Sequence, residues 1–214
     1  MKNLLGVIFS LALVVSCSAS AEPISPETKP EPPVVVNLGG GVHFNETTQV
    51  LKVSGQTTLS QYFGVIKGFE TYEVKKVTMQ GPGGYFFVSL NIGRYLMEQN
   101  ARVEIPAGQL CVSACAFAAI AAQEVDVRGS LWFHAPYLPA APTDKTIHEI
   151  ASSYSEVYIK MDRYILEVGY NSNFSFKLIE HTSPCKFITV STAEELITLR
   201  DVGMYRYEQR LDKC

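Results

Sequence analysis

Three short stretches of this 214-residue chain carry side chains able to do nucleophilic chemistry. Ser113 lies in Cys111-Val-Ser-Ala-Cys115, just ahead of an alanine-rich run. Gly81-Pro-Gly-Gly84 precedes it, with Gly83 thirty positions before the serine, and Phe133-His134-Ala-Pro136 follows, with His134 twenty-one positions after it. A serine hydroxyl attacks poorly until a nearby base takes its proton, and an imidazole, with a pKa near neutrality, suits that task. Charge developing on a carbonyl oxygen under attack is met by backbone N–H groups at a glycine turn and at a helix N-terminus. Glycine at 83 and 84 lets backbone and substrate approach closely. Each motif also has a plainer use: a serine at a helix start caps it, a glycine pair turns the chain, and a histidine at a strand end bonds a neighbour.

The surrounding periodicity places these residues at the joints of an α/β chain. Residues 75–80 read as a buried strand ending at the Gly-Pro-Gly-Gly turn. Residues 85–99 read as a helix with Tyr85, Val88, Ile92 and Leu96 on one face. The unit then repeats: a strand over 101–105, a connection over 106–110, and a small-residue helix over 113–122 with Ser113 at its start. Short strands over 125–127 and 130–133 follow, the second closing at His134. From Ile147 to Val168 apolar residues recur at steps of three and four, with Glu156, Lys160, Arg163 and Glu167 opposite, which predicts an amphipathic helix of about six turns.

Gly39-Gly40-Gly41 has no following helix of the kind a phosphate-cradling loop requires, and reads as flexible chain leading into the domain. No internal repeat or second composition shift divides residues 35–214, so one α/β domain is expected there.

The N-terminus predicts export. Lys2 is followed by an apolar run from Leu4 to Val15 and then by small residues, a signal-peptide layout too short for the ~20 residues a bilayer span needs. Two processing sites overlap: ordinary cleavage after Ala21, or a lipoprotein-type cut that leaves Cys17 lipidated. Residues 22–34, with five prolines and three glutamates between Glu22 and Pro33, read as an extended tether. Loss of residues 1–21 removes only Lys2 among the charges, leaving 18 less one basic residues against 21 acidic, a net of −4. With no basic patch, nucleic acid is excluded as a partner.

Besides Cys17, the even set Cys111, Cys115, Cys185 and Cys214 fits structural disulfides in an oxidising compartment, in any of three pairings. Cys-x3-Cys lacks the Cys-x2-Cys spacing of zinc or redox sites, so no metal is expected.

Taken jointly, Gly-Pro-Gly-Gly, a helix, a strand, Cys-x-Ser-Ala-Cys with its helix, and a short strand ending in His resemble the periplasmic relatives of the Clp protease proteolytic subunit. Those relatives lie within the wider Clp protease and crotonase fold, and the likeness spans roughly residues 50–203. It implies repeated ββα units with the long helix in the C-terminal half. It also implies Ser113 as nucleophile, His134 as general base, the N–H groups of Gly83 and Ala114 as oxyanion hole, and Gly84 and Tyr85 at the start of the substrate groove. The chain departs from the pattern where the family's acid falls, because residues 182–187, Thr-Ser-Pro-Cys-Lys-Phe, contain no Asp or Glu. Glu180, just before that segment, is the leading substitute and Glu149 the second. Replacing a triad acid by its amide can cost ~10⁴ in turnover, so activity is expected to be slow or lost.

The function expected is that of an exported serine hydrolase, a peptidase acting on peptides or unfolded protein in the cell envelope, without cofactor. An ATPase partner is not expected where there is no ATP. The alternative is a catalytically inactive envelope protein that binds peptides or assembles with partners. Acyl-CoA chemistry would suit two oxyanion donors, but the compartment offers little coenzyme A. The long amphipathic helix suggests self-association.

Overall fold

Gly39-Gly40-Gly41 is a hairpin turn and not loose leading chain. In the computed structural model, which describes residues 33–137, 147–203 and 208–210, strand β1 (Val35–Gly39) pairs antiparallel with β2 (Val42–Asn45). The three glycines take φ of +94°, +59° and +79°. These values are left-handed and favour residues without a Cβ, and a Cβ on Gly40 would sit 2.2 Å from the backbone N of Gln61. Three glycines in a row carry no periodicity, so the sequence signals a turn without saying what it joins.

Strand β3 (Val50–Val53) continues the meander antiparallel to β2. After β4 (Gln56–Thr57) the first helix, α1 (Leu59–Thr71), starts under a Thr58 cap whose hydroxyl accepts from the Gln61 N–H at 3.3 Å. From β3 the sheet becomes parallel. β5 (Lys76–Met79) pairs with β3, ends at the glycine turn, and leads through the short β6 (Gly83–Gly84) into α2 (Phe86–Glu98). β7 (Arg102–Ile105) pairs with β5.

The chain next runs through β8 (Leu110–Val112) into α3 (Ala114–Ala119), and returns to the first sheet as β9 (Glu124–Val127) beside β7. That sheet has the order β1-β2-β3-β5-β7-β9. Alternation along β5 sends Val77 and Met79 inward, fully buried, while Lys76 and Thr78 face outward. Outward Lys76 meets Glu104 of β7 at 2.7 Å.

A second sheet builds the site. β10 (Ser130–Phe133) lies parallel to β8 and antiparallel to β11 (Lys186–Val190), which pairs in turn with β12 (Glu208–Arg210). Between β10 and β11 come α4 (Ile147–Glu167) and α5 (Asn173–His181), and α6 (Ala193–Val202) follows β11. The 21 residues of α4 make about six turns. Met161, Tyr164 and Ile165 are buried, and the Tyr164 hydroxyl donates to Phe117 O of α3 at 2.7 Å. Burial holds the Tyr164 phenol far above its ordinary pKa.

Beneath the site, Phe86, Phe117, Phe133 and Phe174 pack edge to face with centroids 5.2, 5.7 and 5.2 Å apart, joining α2, α3, β10 and α5. All six residues of α3 are buried, and their small side chains let neighbouring elements come close.

The strand-helix repeat read from the sequence is the observed one. Its periodicity did not reveal the β1–β2 hairpin, α1, α5 or β11, and Leu110, read as connection, begins β8. Among the described residues no helix is long and apolar enough to cross a membrane. The expected leader and Cys17 lie outside the described residues, as do residues 22–32 of the expected tether and Cys214.

Candidate active site

Ser113 is fixed by backbone on both sides before its side chain is considered. Val112 N–H donates to Gly81 O at 2.9 Å, Gly81 N–H to Leu110 O at 2.9 Å, and Ser113 N–H to Trp132 O at 2.7 Å. β8 is thus clamped between the glycine turn and β10 up to the serine itself, and α3 starts one residue later. That abrupt strand-to-helix change forces Ser113 to φ +54°, ψ −121°. Among the described residues, only Gln49 and Asn100 share a positive φ without being glycine. Such a conformation costs roughly 1–3 kcal/mol and persists only where the surroundings over-determine it. A strained strand-to-helix turn is also how a nucleophile is thrust out of a sheet. Ser113 occupies the N-cap position, yet its hydroxyl makes no capping bond, so the plainer role of a helix-start serine is not the one it performs.

Across this elbow runs a disulfide, Cys111–Cys115, with Cα atoms 5.2 Å apart and both residues buried. Of the three pairings open to the sequence, this bond selects the one that closes a loop around Ser113. Cys185 is disulfide-bonded as well.

The glycine turn meets the serine directly. Gly83 is buried at φ +94°, and a Cβ added there would lie 2.7 Å from Ser113 Cβ, 2.7 Å from Val112 O and 3.0 Å from Ala114 N. Two stretches thirty positions apart are therefore in van der Waals contact, and only glycine fits between them. Ala114 opens α3, where a first-turn N–H has no intrahelical acceptor. Gly84 and Tyr85 are exposed beside this contact, Tyr85 at 65% of its surface. Phe87 is exposed too, whereas Phe86 packs edge-on against Phe117. The three aromatics therefore divide between surface and core.

His134 follows β10, two residues past Trp132, whose carbonyl accepts from the Ser113 N–H. Its ring is 6% exposed, edge-on to Phe187 with centroids 5.3 Å apart and tilted over Tyr137 at 5.6 Å. Nδ1 bonds Ala135 O at 2.8 Å. A carbonyl only accepts, so Nδ1 carries the proton and Nε2 keeps its lone pair, the tautomer a general base requires. Burial holds the imidazole pKa below its ordinary value, and the Ala135 carbonyl opposes this only in part. Ser113 and His134 make no direct hydrogen bond with each other among the described residues. Such bonds commonly tighten only when substrate is bound.

Glu180 is half exposed and pairs with Lys177 at 2.6 Å and with His181 at 3.0 Å. The hydrogen bond from Lys177 holds its carboxyl below the usual range. Glu149 stands exposed in the first turn of α4. Among the described residues Glu180 makes no bond to His134. The segment 182–187 does come to the histidine, but it brings the Phe187 ring and the Thr182 hydroxyl, which accepts from Ala135 N–H at 2.7 Å. A search for carboxylates could not find these contributors, because a backbone carbonyl leaves no mark in a sequence. Among the described residues no group of three or more His, Cys, Asp or Glu could hold a metal ion.

No family model and no curated protein matches the chain. Among solved structures, it is similar to a mutant of ClpP1 from Listeria monocytogenes, with a TM-score of 0.52 and 14% identity over 70% of this chain and 88% of that one. It is also similar to a mutant of the 1510-N membrane-bound stomatin-specific protease, with a TM-score of 0.45 and 15% identity over 68% of this chain and 73% of that one. The fold is that of the Clp protease and crotonase group, as the resemblance of the joint motifs implied.

Proposed function

We propose that this protein is a slow, exported serine hydrolase acting on peptides or unfolded protein segments without cofactor or ATPase. Ser113 attacks the carbonyl, His134 Nε2 takes its proton and later returns it to the leaving group, and the N–H groups of Gly83 and Ala114 meet the oxyanion. The observation that carries this reading is the strained Ser113 elbow pressed against Gly83, with the serine hydroxyl unspent on capping its helix. The local fold tolerates an unfavourable backbone to present that oxygen beside a glycine turn.

A triad acid does two things: it fixes the imidazole tautomer, and it stabilises the imidazolium that forms. Ala135 O can do the first with a neutral dipole and contributes little to the second, while burial makes the cation costlier still. A working but slow base is the expected result.

Binding is supported by β6, which pairs with β4 on one side and offers its other edge near exposed Tyr85 to an extended peptide. Export is supported by the residue 1–21 leader pattern and by the Cys111–Cys115 bond, since disulfides persist in oxidising compartments. Lipidation at Cys17 and cleavage after Ala21 remain alternatives. Exposed Ile159 and Leu166 of α4, with Phe176 and Ile179 of α5, suit self-association.

That neither a Ser113–His134 bond nor a carboxylate bonded to His134 is found among the described residues favours a second reading, a peptide-binding module that has lost turnover. Hydrolysis of unstructured peptides and activated esters decides between them. Turnover by the wild type that disappears in Ser113→Ala supports the hydrolase, whereas saturable peptide binding by both, without turnover, supports the module.

A further inference from the structure

His134 is oriented by a carbonyl of the adjacent residue, and that arrangement leaves a question the ring cannot answer by itself. Ala135 O meets Nδ1 only while the backbone around Ala135 keeps one orientation, and the bond spans a single residue, too short a loop to hold itself. The same residue is bonded from outside. Ala135 N–H donates to Thr182 Oγ1 at 2.7 Å, and the Thr182 hydroxyl passes its own proton to Leu178 O in the last turn of α5.

The directions of these bonds are fixed by chemistry. A backbone N–H can only donate and a carbonyl only accept, so the hydroxyl must accept from Ala135 and donate to Leu178. Thr182 is itself immobilised as the C-cap of α5, extended at φ −114° and ψ 162°, with its own N–H also on Leu178 O at 3.1 Å. A relay results that runs from the end of α5 through Thr182 and Ala135 to His134 Nδ1. It approaches the ring from the side on which the sequence departs from the acidic pattern.

We propose that Thr182 is the positioning residue of the site: its hydroxyl locks the Ala135 backbone, and through it holds His134 in the tautomer that leaves Nε2 free to accept a proton. The catalytic consequence rests on the hydrolase reading above, while the effect on the imidazole does not. Among the described residues only the Ala135 carbonyl bonds the ring. Phe187 and Tyr137 supply apolar walls, so among the described residues no second acceptor bonds the ring that could restore the tautomer once the carbonyl swings away.

The test uses the full mature chain with 15N-labelled histidine and a fluorophosphonate probe. Long-range 1H–15N spectra should show His134 protonated at Nδ1 in the wild type, and the same in Thr182→Ser, which keeps the hydroxyl. Thr182→Val preserves shape and loses the donor and acceptor; it should show a mixture of tautomers, with phosphonylation at least about 10-fold slower than wild type, while Thr182→Ser stays within about two-fold. An unchanged His134 tautomer in folded Thr182→Val overturns the proposal. So does an Nε2-protonated His134 in the wild type, a result that stands even if the valine variant fails to fold. A wild type that never labels, yet whose His134 tautomer collapses in Thr182→Val, overturns the hydrolase reading and leaves the positioning role intact.

Discussion

The two halves of the candidate site are built to different standards. On the serine side, three backbone hydrogen bonds, a disulfide and a glycine that admits no side chain converge on one residue. On the histidine side, a single carbonyl and a single hydroxyl orient the ring among apolar walls, and no charged group bonds it among the described residues. Strain at Ser113 needs many constraints to survive, since each alternative backbone would relieve it. A neutral imidazole needs few, because a buried ring with one acceptor already has one favoured tautomer. The difference teaches that nucleophile and oxyanion geometry belong to the scaffold here, while the base is held by local contacts only.

The largest effect should come from filling the space between the two strands of the serine half. Gly83→Ala puts a Cβ 2.7 Å from Ser113 Cβ and from Val112 O, displacing one oxyanion donor and the nucleophile together. Loss of one such donor costs about 10²–10³ in rate, and a drop of that size is expected in peptide turnover measured on protein whose circular dichroism is unchanged. A smaller drop would mean that the serine half is looser than its contacts imply.

Breaking the staple should act on stability more than on chemistry. Cys111→Ser with Cys115→Ser opens a loop of five residues, worth about 2 kcal/mol by chain entropy. Denaturant melts should show a loss of that order, with a rate loss smaller than for Gly83→Ala because the backbone bonds remain. The smallest effect belongs to Glu180→Gln. Its partners are Lys177 and His181 on the surface, so turnover and Tm should both match wild type. A fall in turnover would return Glu180 to the histidine and refute the contrast between the halves.

Much of this was legible before any coordinates. Alternation over residues 75–80 and the three-four spacing from Ile147 fix strand and helix because burial on one face is written in residue type. The Ser113, Gly83 and His134 stretches announce themselves by chemistry that few other residues supply. What was hidden has a common physical form. The orienting group of His134 is a main-chain oxygen, Thr182 acts through a backbone amide, and β11 is a short strand whose pairing depends on the distant β10. Nearness in sequence to the expected segment says nothing about which way a helix end faces: Glu180, in the last turn of α5, meets Lys177 and His181.

The account turns on Ser113 being the attacking oxygen and His134 its neutral, buried base. Phosphonylation of the wild type followed over pH, with the adduct located by mass spectrometry, tests both at once. Because burial lowers the His134 pKa, the base stays unprotonated through neutrality and loses function only as pH falls through a value below its ordinary ~6.5. The account predicts an adduct on Ser113 whose rate is flat near neutrality and falls along one acidic limb centred below that value. An adduct on another residue, or a folded wild type that takes up no probe at any pH, would contradict it.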